Sequence, residues 1–218
     1  MDLSNNKITE LAPVPAPKLL SLVLDSNRIE TAEKFGGHAQ IVKLSLSQNK
    51  LASTLGLSGM PQLQHLNVAG NQLTSLADLA GLPLLMHLNA SSNKLADLED
   101  LPELPKLEYL DLSKNKFASQ DCLPHLHAYP TLVTLLMAEC PFVEELADRF
   151  KAEVLLVCGT VVKGLKMIGE EEVTEEDITA ANEERAAKEQ ARREAEEEAR
   201  RAAEEAAAAA KEGGEAAE

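Results

Sequence analysis

The chain has 218 residues, 44% of them hydrophobic but only 3% aromatic, and no Trp, so any core must be built from Leu, Val, Ile and Ala. Asp and Glu number 36 against 21 Lys and Arg, a formal charge of −15, which argues against nucleic acid or an anionic membrane as partner because both select clustered positive charge. No apolar run reaches the ~20 residues of a membrane span, the opening MDLSNNKITE lacks the features of a secretory signal, and three cysteines without C-x-x-C spacing suggest neither disulfides nor zinc. The expectation is a reduced, soluble, cytoplasmic protein.

Met1 begins almost inside a repeat, with Leu3, Asn6 and Ile8 matching only its second half. The expectation here is an open end. Ile8, Leu11, Leu19 and Leu22 would lack a preceding coil, so that upstream sequence or another protein must cover them. Pro13, Pro15 and Pro17 fall where the first return segment runs, which favours a structural role over a polyproline ligand.

From Leu19 onward the pattern L-x-x-L-x-L-x-x-N-x-L recurs as LLSLVLDSNRI, IVKLSLSQNKL, LQHLNVAGNQL, LMHLNASSNKL and LEYLDLSKNKF. Its asparagines are Asn6, Asn27, Asn49, Asn71, Asn93 and Asn115, spaced by 21 and then 22 residues, and a further copy from Leu132 places Cys140 in the asparagine slot. One such unit cannot bury its own leucines, whereas stacked units can. The asparagine amide is expected to satisfy backbone groups of adjacent coils, and a thiol would do so more weakly. Pro61, Pro83, Pro102 and Pro105 limit the return segments to single turns or 3₁₀ pieces, and the longer step before Cys140 leaves room for a helical segment. The fold class is α/β: a leucine-rich-repeat solenoid with a curved parallel sheet, followed by a long charged helix.

The strands align two concave rows. Ser21, Lys43, His65, His87, Tyr109 and Thr134 form one; Val23, Ser45, Asn67, Asn89, Asp111 and Leu136 form the other. Adjacent imidazoles of His65 and His87 could hold a metal, but Lys43 and Tyr109 flank them and supply no third ligand, so no metal or other cofactor is expected. A rigid polar face carrying Lys43, His65, Asn67, His87, Asn89, Tyr109 and Asp111 instead suits a docked protein element. His125 and His127 fall in the irregular segment and are expected at the surface. No P-loop, G-x-G-x-x-G, G-x-S-x-G or H-E-x-x-H occurs, so neither catalysis nor a small-molecule substrate is expected.

The period ends after Phe142. Residues 143–173 are read as a closing cap, with Val154–Val157 as a last strand and Cys158 inside the same apolar stretch. Residues 174–212 then lack leucine, proline and glycine. They read as a single charged helix of about 55 Å, started by a Thr174–Asp177 capping pair and ended by Gly213–Gly214, with 213–218 a disordered tail. From residue 170 onward, 18 acidic side chains face 7 basic ones, which places −11 of the −15 there. Glu184/Lys188, Glu189/Arg193, Glu196/Arg200 and Glu197/Arg201 lie at favourable i,i+4 spacing. Ile178 is the one large apolar anchor in sight, so Arg185, Lys188, Arg192, Arg193, Arg200 and Arg201 are the candidate contacts of an arm laid along a partner.

The 22-residue spacing and LKMIGEEEVTEED resemble a leucine-rich-repeat subfamily that includes a phosphatase-1 regulatory subunit and an axonemal dynein light chain. NKLASTLG at Asn49–Gly56, together with the glutamate-rich helix behind the last repeat, is similar to the leucine-rich-repeat proteins of the radial spoke of cilia and flagella. The resemblance spans residues 1–185. It implies a non-enzymatic structural subunit of the axoneme, in the cytoskeleton, bound to other spoke proteins. Two alternatives are a regulatory subunit of a phosphatase or other enzyme, which would want a more acidic or aromatic concave face, and an acidic nuclear leucine-rich-repeat protein, which would want a tail of nearly pure Asp and Glu.

Overall fold

The structure, a computed structural model, describes residues 1–159, 162 and 164–215, with the side chains of the last helix described to residue 203. Each 22-residue unit forms one coil of a solenoid. The strands are β1 (Ser21–Val23), β2 (Lys43–Ser45), β3 (His65–Asn67), β4 (His87–Asn89), β5 (Tyr109–Asp111) and β6 (Thr134–Leu136), paired in parallel in chain order. Equivalent positions stand opposite one another, so Leu22, Leu44, Leu66, Leu88, Leu110 and Leu135 stack in one buried line. β7 (Met167–Ile168) continues the parallel order and β8 (Glu171–Glu172) pairs with it antiparallel, giving eight strands among the described residues.

The asparagines hold the coils together. Asn93 donates from Nδ2 to the carbonyls of Ala90 and Ser91 in its own coil and of Val68 in the coil before, at 3.0–3.1 Å, and its Oδ1 accepts Leu73 N–H at 3.0 Å. Asn49, Asn71 and Asn115 repeat this set. In the last regular coil Cys140 Sγ–H reaches Leu112 carbonyl at 3.5 Å, the weaker substitute expected of a thiol. The residue before each of these positions (Asn5, Ser26, Gln48, Gly70, Ser92, Lys114, Glu139) has φ between 55° and 67°. That left-handed turn brings the strand's end round so that the following side chain points inward; glycine, for which the conformation carries least strain, occupies it once.

A second register runs along the convex side. Thr31, Ser53, Ser75, Asp97 and Ser119, again 22 apart, each accept the N–H two residues on. These local turns start the return segments, which are irregular or 3₁₀, as at Ala77–Leu79. The longer step before β6 contains a 3₁₀ segment, Gln120–Ala128, with Pro124 inside it. Thr54 fills a slot taken by Leu76 and Leu98 in the next coils, and its buried Oγ1 has no hydrogen-bond partner among the described residues.

Three expectations are corrected. First, Leu11 and Leu22 are buried within the chain itself, and Ile8 and Leu19 are partly covered. Residues 1–10 lie across β1 through Val23 N–H to Met1 carbonyl, Leu3 N–H to Val23 carbonyl and Asn5 N–H to Asp25 carbonyl, because backbone pairing needs no complete repeat. Second, Val154–Val157 is not a strand. It belongs to helix α2 (Phe150–Cys158), which follows α1 (Pro141–Leu146) and the 3₁₀ turn Ala147–Arg149. Phe150, Val154, Leu155 and Cys158 are its buried positions, the i, i+4, i+5, i+8 spacing of one helical face, and a four-residue apolar run does not distinguish that from a strand. Third, the final helix α3 spans Glu175–Glu215 and runs through Gly213–Gly214. The alanine run before them carries the helix on, since an interior glycine costs only about 1 kcal/mol. Thr160 and Val161 of the expected apolar stretch, and 216–218 of the expected tail, lie outside the described residues.

Replacing Asn93 by Ala strips four hydrogen bonds from buried backbone groups and should cost about 2–4 kcal/mol in urea unfolding. Asn6→Ala is the control. Asn6 is exposed and donates only to Leu3 and Ser4 carbonyls of its own coil, so its loss should cost less than about 1 kcal/mol.

Candidate functional site

Strand register brings the concave residues together. Lys43, His65, His87 and Tyr109 are successive partners across β2–β5, as are Ser45, Asn67, Asn89 and Asp111. Strands lie ~4.8 Å apart, and planar side chains at that spacing stack. The His65 and His87 rings are 4.5 Å apart with planes 19° from parallel, and His87 and Tyr109 are 5.7 Å apart at 33°. Both imidazoles and the phenol hydroxyl are without a hydrogen-bond partner among the described residues. Together with Lys43, Asn67 and Asn89 they line a shallow depression of about 210 Å³.

Partial burial disfavours the charged form of His65, and the neighbouring His87 and Lys43 add to this, so its pKa lies below the ordinary imidazole value of 6.5. Burial, with Asp111 beside it, raises that of Tyr109. At neutral pH His65 is therefore a neutral ring and Tyr109 a neutral phenol. No group of three or more His, Cys, Asp or Glu side chains is placed to hold a metal among the described residues. The thiols offer no nucleophile: Cys122, Cys140 and Cys158 are all buried, and burial pushes Cys122 and Cys158 up to about 12.

The arm residues divide into two groups. Arg185 faces inward, donating from Nε to Leu156 carbonyl at 3.0 Å and from Nη2 to Leu155 and Leu156 carbonyls at 2.7 and 2.8 Å. His127 Nε2 meets Val157 carbonyl at 2.8 Å. Carbonyls of the last turn of α2 thus accept from side chains of two other segments, one of them a cation where the helix dipole favours positive charge; Leu155 carbonyl also accepts Gly159 N–H at 2.9 Å. Arg185 is a clamp within the fold and not an outward contact. Ala181 is buried beside it, and Lys151 on α2 bridges Glu171 and Asp177 at 3.0 Å. Thr174 and Asp177 form the expected capping pair.

The anchor of α3 is thus a small residue and a guanidinium, while Ile178 is 40% exposed. Sequence reasoning overlooked Ala181 because alanine is frequent throughout the helix; its i,i+4 spacing from Arg185, and of Arg185 from Glu189, is the signal. Beyond Glu189 the described residues are exposed. Along the helix from Glu184, Lys188 pairs with Glu184, Arg192 with Glu189 and Glu196, Arg193 with Glu189 and Arg201 with Glu197, at 2.8–3.7 Å, and Arg200 is engaged as well. Among the described residues no helix is long and apolar enough to cross a membrane.

A leucine-rich-repeat family model matches residues 106–127, one coil of the array. Among solved structures the chain is similar to an internalin of Listeria monocytogenes, with a TM-score of 0.55 and 19% identity over 75% of this chain and 45% of that one. It is similar to internalin C2 of the same bacterium at 0.56 and 21%, over 78% of this chain and 71% of that one. A leucine-rich-repeat protein of Leptospira interrogans gives 0.51 and 23%, over 69% and 37%. The chain spans less than half of the first and third. No curated protein matches the sequence. At these identities the likeness is one of fold: a leucine-rich-repeat solenoid carrying a C-terminal helix.

Two outcomes are expected. Because the folded pKa of His65 lies below that of the unfolded chain, its contribution to stability is complete above about pH 6.5 and is lost as pH falls through the window beneath it. By NMR, the His65 Cε1 proton should titrate below 6.5, and His87→Ala, which uncovers the ring and removes the neighbouring charge, should move the inflection upward. In the arm, removing residues 190–218 should leave the melting temperature unchanged, whereas Arg185→Ala should cost about 1–3 kcal/mol by leaving Leu156 carbonyl unpaired. A cut at Ala180 would remove both Ala181 and Arg185 and should destabilise the closing segment.

Proposed function

We propose that the protein is a non-catalytic scaffold that docks a segment of another protein across its concave sheet. The observation that carries this reading is the His65–His87–Tyr109 stack. Three rings with unused polar atoms stand in register on a sheet rigid enough to hold them, and no hydrogen bond among the described residues uses them. Rigid side chains with an apolar face and a polar edge lose little entropy on binding, and Tyr is among the residues that dominate interface energetics. The charge of −15 favours a protein over a nucleic acid as partner.

The finer placement we propose is the axoneme of cilia and flagella, as a structural subunit of radial-spoke type in contact with other spoke proteins. Its support is the resemblance carried by NKLASTLG, LKMIGEEEVTEED and the glutamate-rich helix; the solved neighbours speak to the fold alone. Array and arm have separate parts in this reading. The sheet holds the partner, and the helix beyond Glu189, whose described cations pair within the helix, spaces neighbouring subunits.

A tagged chain expressed in a ciliated cell should remain with detergent-extracted axonemes. Replacing His65, His87 and Tyr109 together by Ala should change stability by no more than about 0.5 kcal/mol per site, while retention should fall by roughly tenfold or more. Loss of the protein on extraction would remove the axonemal placement. Undiminished retention of the triple variant would move the interface off the concave face.

A further inference from the structure

The concave strip has a polarity that its stacked rings do not express. Asn67 and Asn89 stand side by side on β3 and β4. Each turns Oδ1 toward a backbone N–H two residues on, Ala69 at 3.0 Å and Ser91 at 3.0 Å, and Ser91 Oγ–H adds a 2.7 Å bond to the second. A backbone N–H can only donate, so the oxygen of each amide must face it and the NH2 group must face outward. Neither Nδ2 meets an acceptor among the described residues. Lys43 opens into the same depression and forms no ion pair among the described residues. The groups that act electrostatically on His65 are its strand neighbours His87 and Lys43. A carboxylate stands at each end of the row: Asp111 on β5, buried, with Oδ1 accepting Ser113 N–H at 3.0 Å, and Asp25 beside β2, with Oδ1 accepting Ser45 Oγ–H at 2.6 Å and Ser47 N–H at 2.9 Å.

We propose that this strip seats a carboxylate from an acidic segment of a partner protein, with its oxygens accepting from the Asn67 and Asn89 amides and Lys43 supplying the countercharge. The proposal rests on the docking reading above and gives its partner a chemistry. Outward NH2 groups on neighbouring strands, ~4.8 Å apart, can each reach one oxygen of a single carboxylate, and hydrogen bonds to an ionised acceptor are about twice as strong as those to a neutral one. Two outward donors beside an unpaired lysine complement a single carboxylate, the Asp25 and Asp111 carboxylates at the ends of the row being already bonded within the chain. A second copy of this chain also carries carboxylates, on its arm. There Glu184, Glu189 and Glu197 pair with Lys188, Arg193 and Arg201, but the 18 acidic side chains from residue 170 outnumber the 7 basic ones, so the test below separates a second copy from a partner protein.

The test uses the full chain and short fluorescein-labelled peptides of alternating Glu and Gly, Gln and Gly, or Lys and Gly, read by anisotropy. The Glu peptide should bind and weaken with salt, and the Gln and Lys peptides should bind at least about tenfold less tightly. Asn67→Asp exchanges only the outward NH2 for an oxygen. It keeps the acceptor for Ala69 N–H, as Asp111 does for Ser113 and Asp2 for Ser4 at the same position of their coils. The variant should melt as the parent does and lose about tenfold or more in affinity for the Glu peptide, and Lys43→Ala should also bind less tightly. No binding of the Glu peptide, equal binding of the Gln peptide, or an unaffected Asn67→Asp would overturn the proposal. The axonemal retention assay is read separately, so a scaffold that binds through its rings alone would lose this inference and keep its function. Self-association of the parent chain that Asn67→Asp abolishes would also overturn the proposal, naming a second copy as the occupant.

Discussion

The structure depends on one interaction, the asparagine amide turned into the solenoid between two coils. A coil of 22 residues has too little area to bury its own leucines and too many backbone groups leaving its strand unpaired. One amide answers both needs: Nδ2 gathers carbonyls from its own coil and the one before, and Oδ1 takes an N–H of the preceding coil. The bonds run between coils, so each asparagine sets the offset of its neighbour as well as stabilising it. Register then propagates without a helix to enforce it, which is why proline-rich and irregular return segments are tolerated on the convex side.

Fixed register makes surface chemistry additive along the sheet. Residues 22 apart become neighbours at strand spacing, and a side chain that means little alone becomes part of a row. His65 and His87 are separated by 22 positions in the chain and by 4.5 Å between rings. The same rule aligns Asn67 with Asn89 and the hydroxyl turns of Ser53 and Ser75 on the opposite side. It also places Thr54 in a slot that Leu76 and Leu98 fill in the next coils, and its buried hydroxyl has no hydrogen-bond partner among the described residues.

What was legible in the chain follows the same division. Wherever the repeat holds, spacing alone yields strand positions, concave rows and the role of Cys140, because each copy is read against five others. At the ends that comparison is lost. VLLV, taken alone, fits a buried strand or a buried helix face, and only the residues before it, Phe150 and Lys151, settle the matter by extending the segment to nine. The anchoring of α3 was hidden for a different reason. Sequence patterns locate helix packing by large apolar residues, whereas this contact is made by Ala181, which lets the helices approach closely, and by Arg185, whose charge suggested a solvent or partner role.

That anchoring changes how the charge of the molecule is arranged. Most of the acidic excess, −11 of −15, belongs to residues from 170 onward, yet the first part of α3 is fixed to α2 by Arg185, Lys151 and Asp177, so the arm leaves the solenoid from a rigid root. Past Glu189 its carboxylates and cations answer one another along the helix, as with Glu189, held below the usual carboxylate range by Arg193 and Arg192. The arm therefore neutralises itself locally while remaining net negative. The concave strip does the reverse, with Lys43, outward amide donors and stacked rings on an otherwise mildly acidic array. In the proposal above each surface is matched to something other than itself: the strip to an acceptor-rich segment held close, the arm to whatever lies at the distance its helix spans.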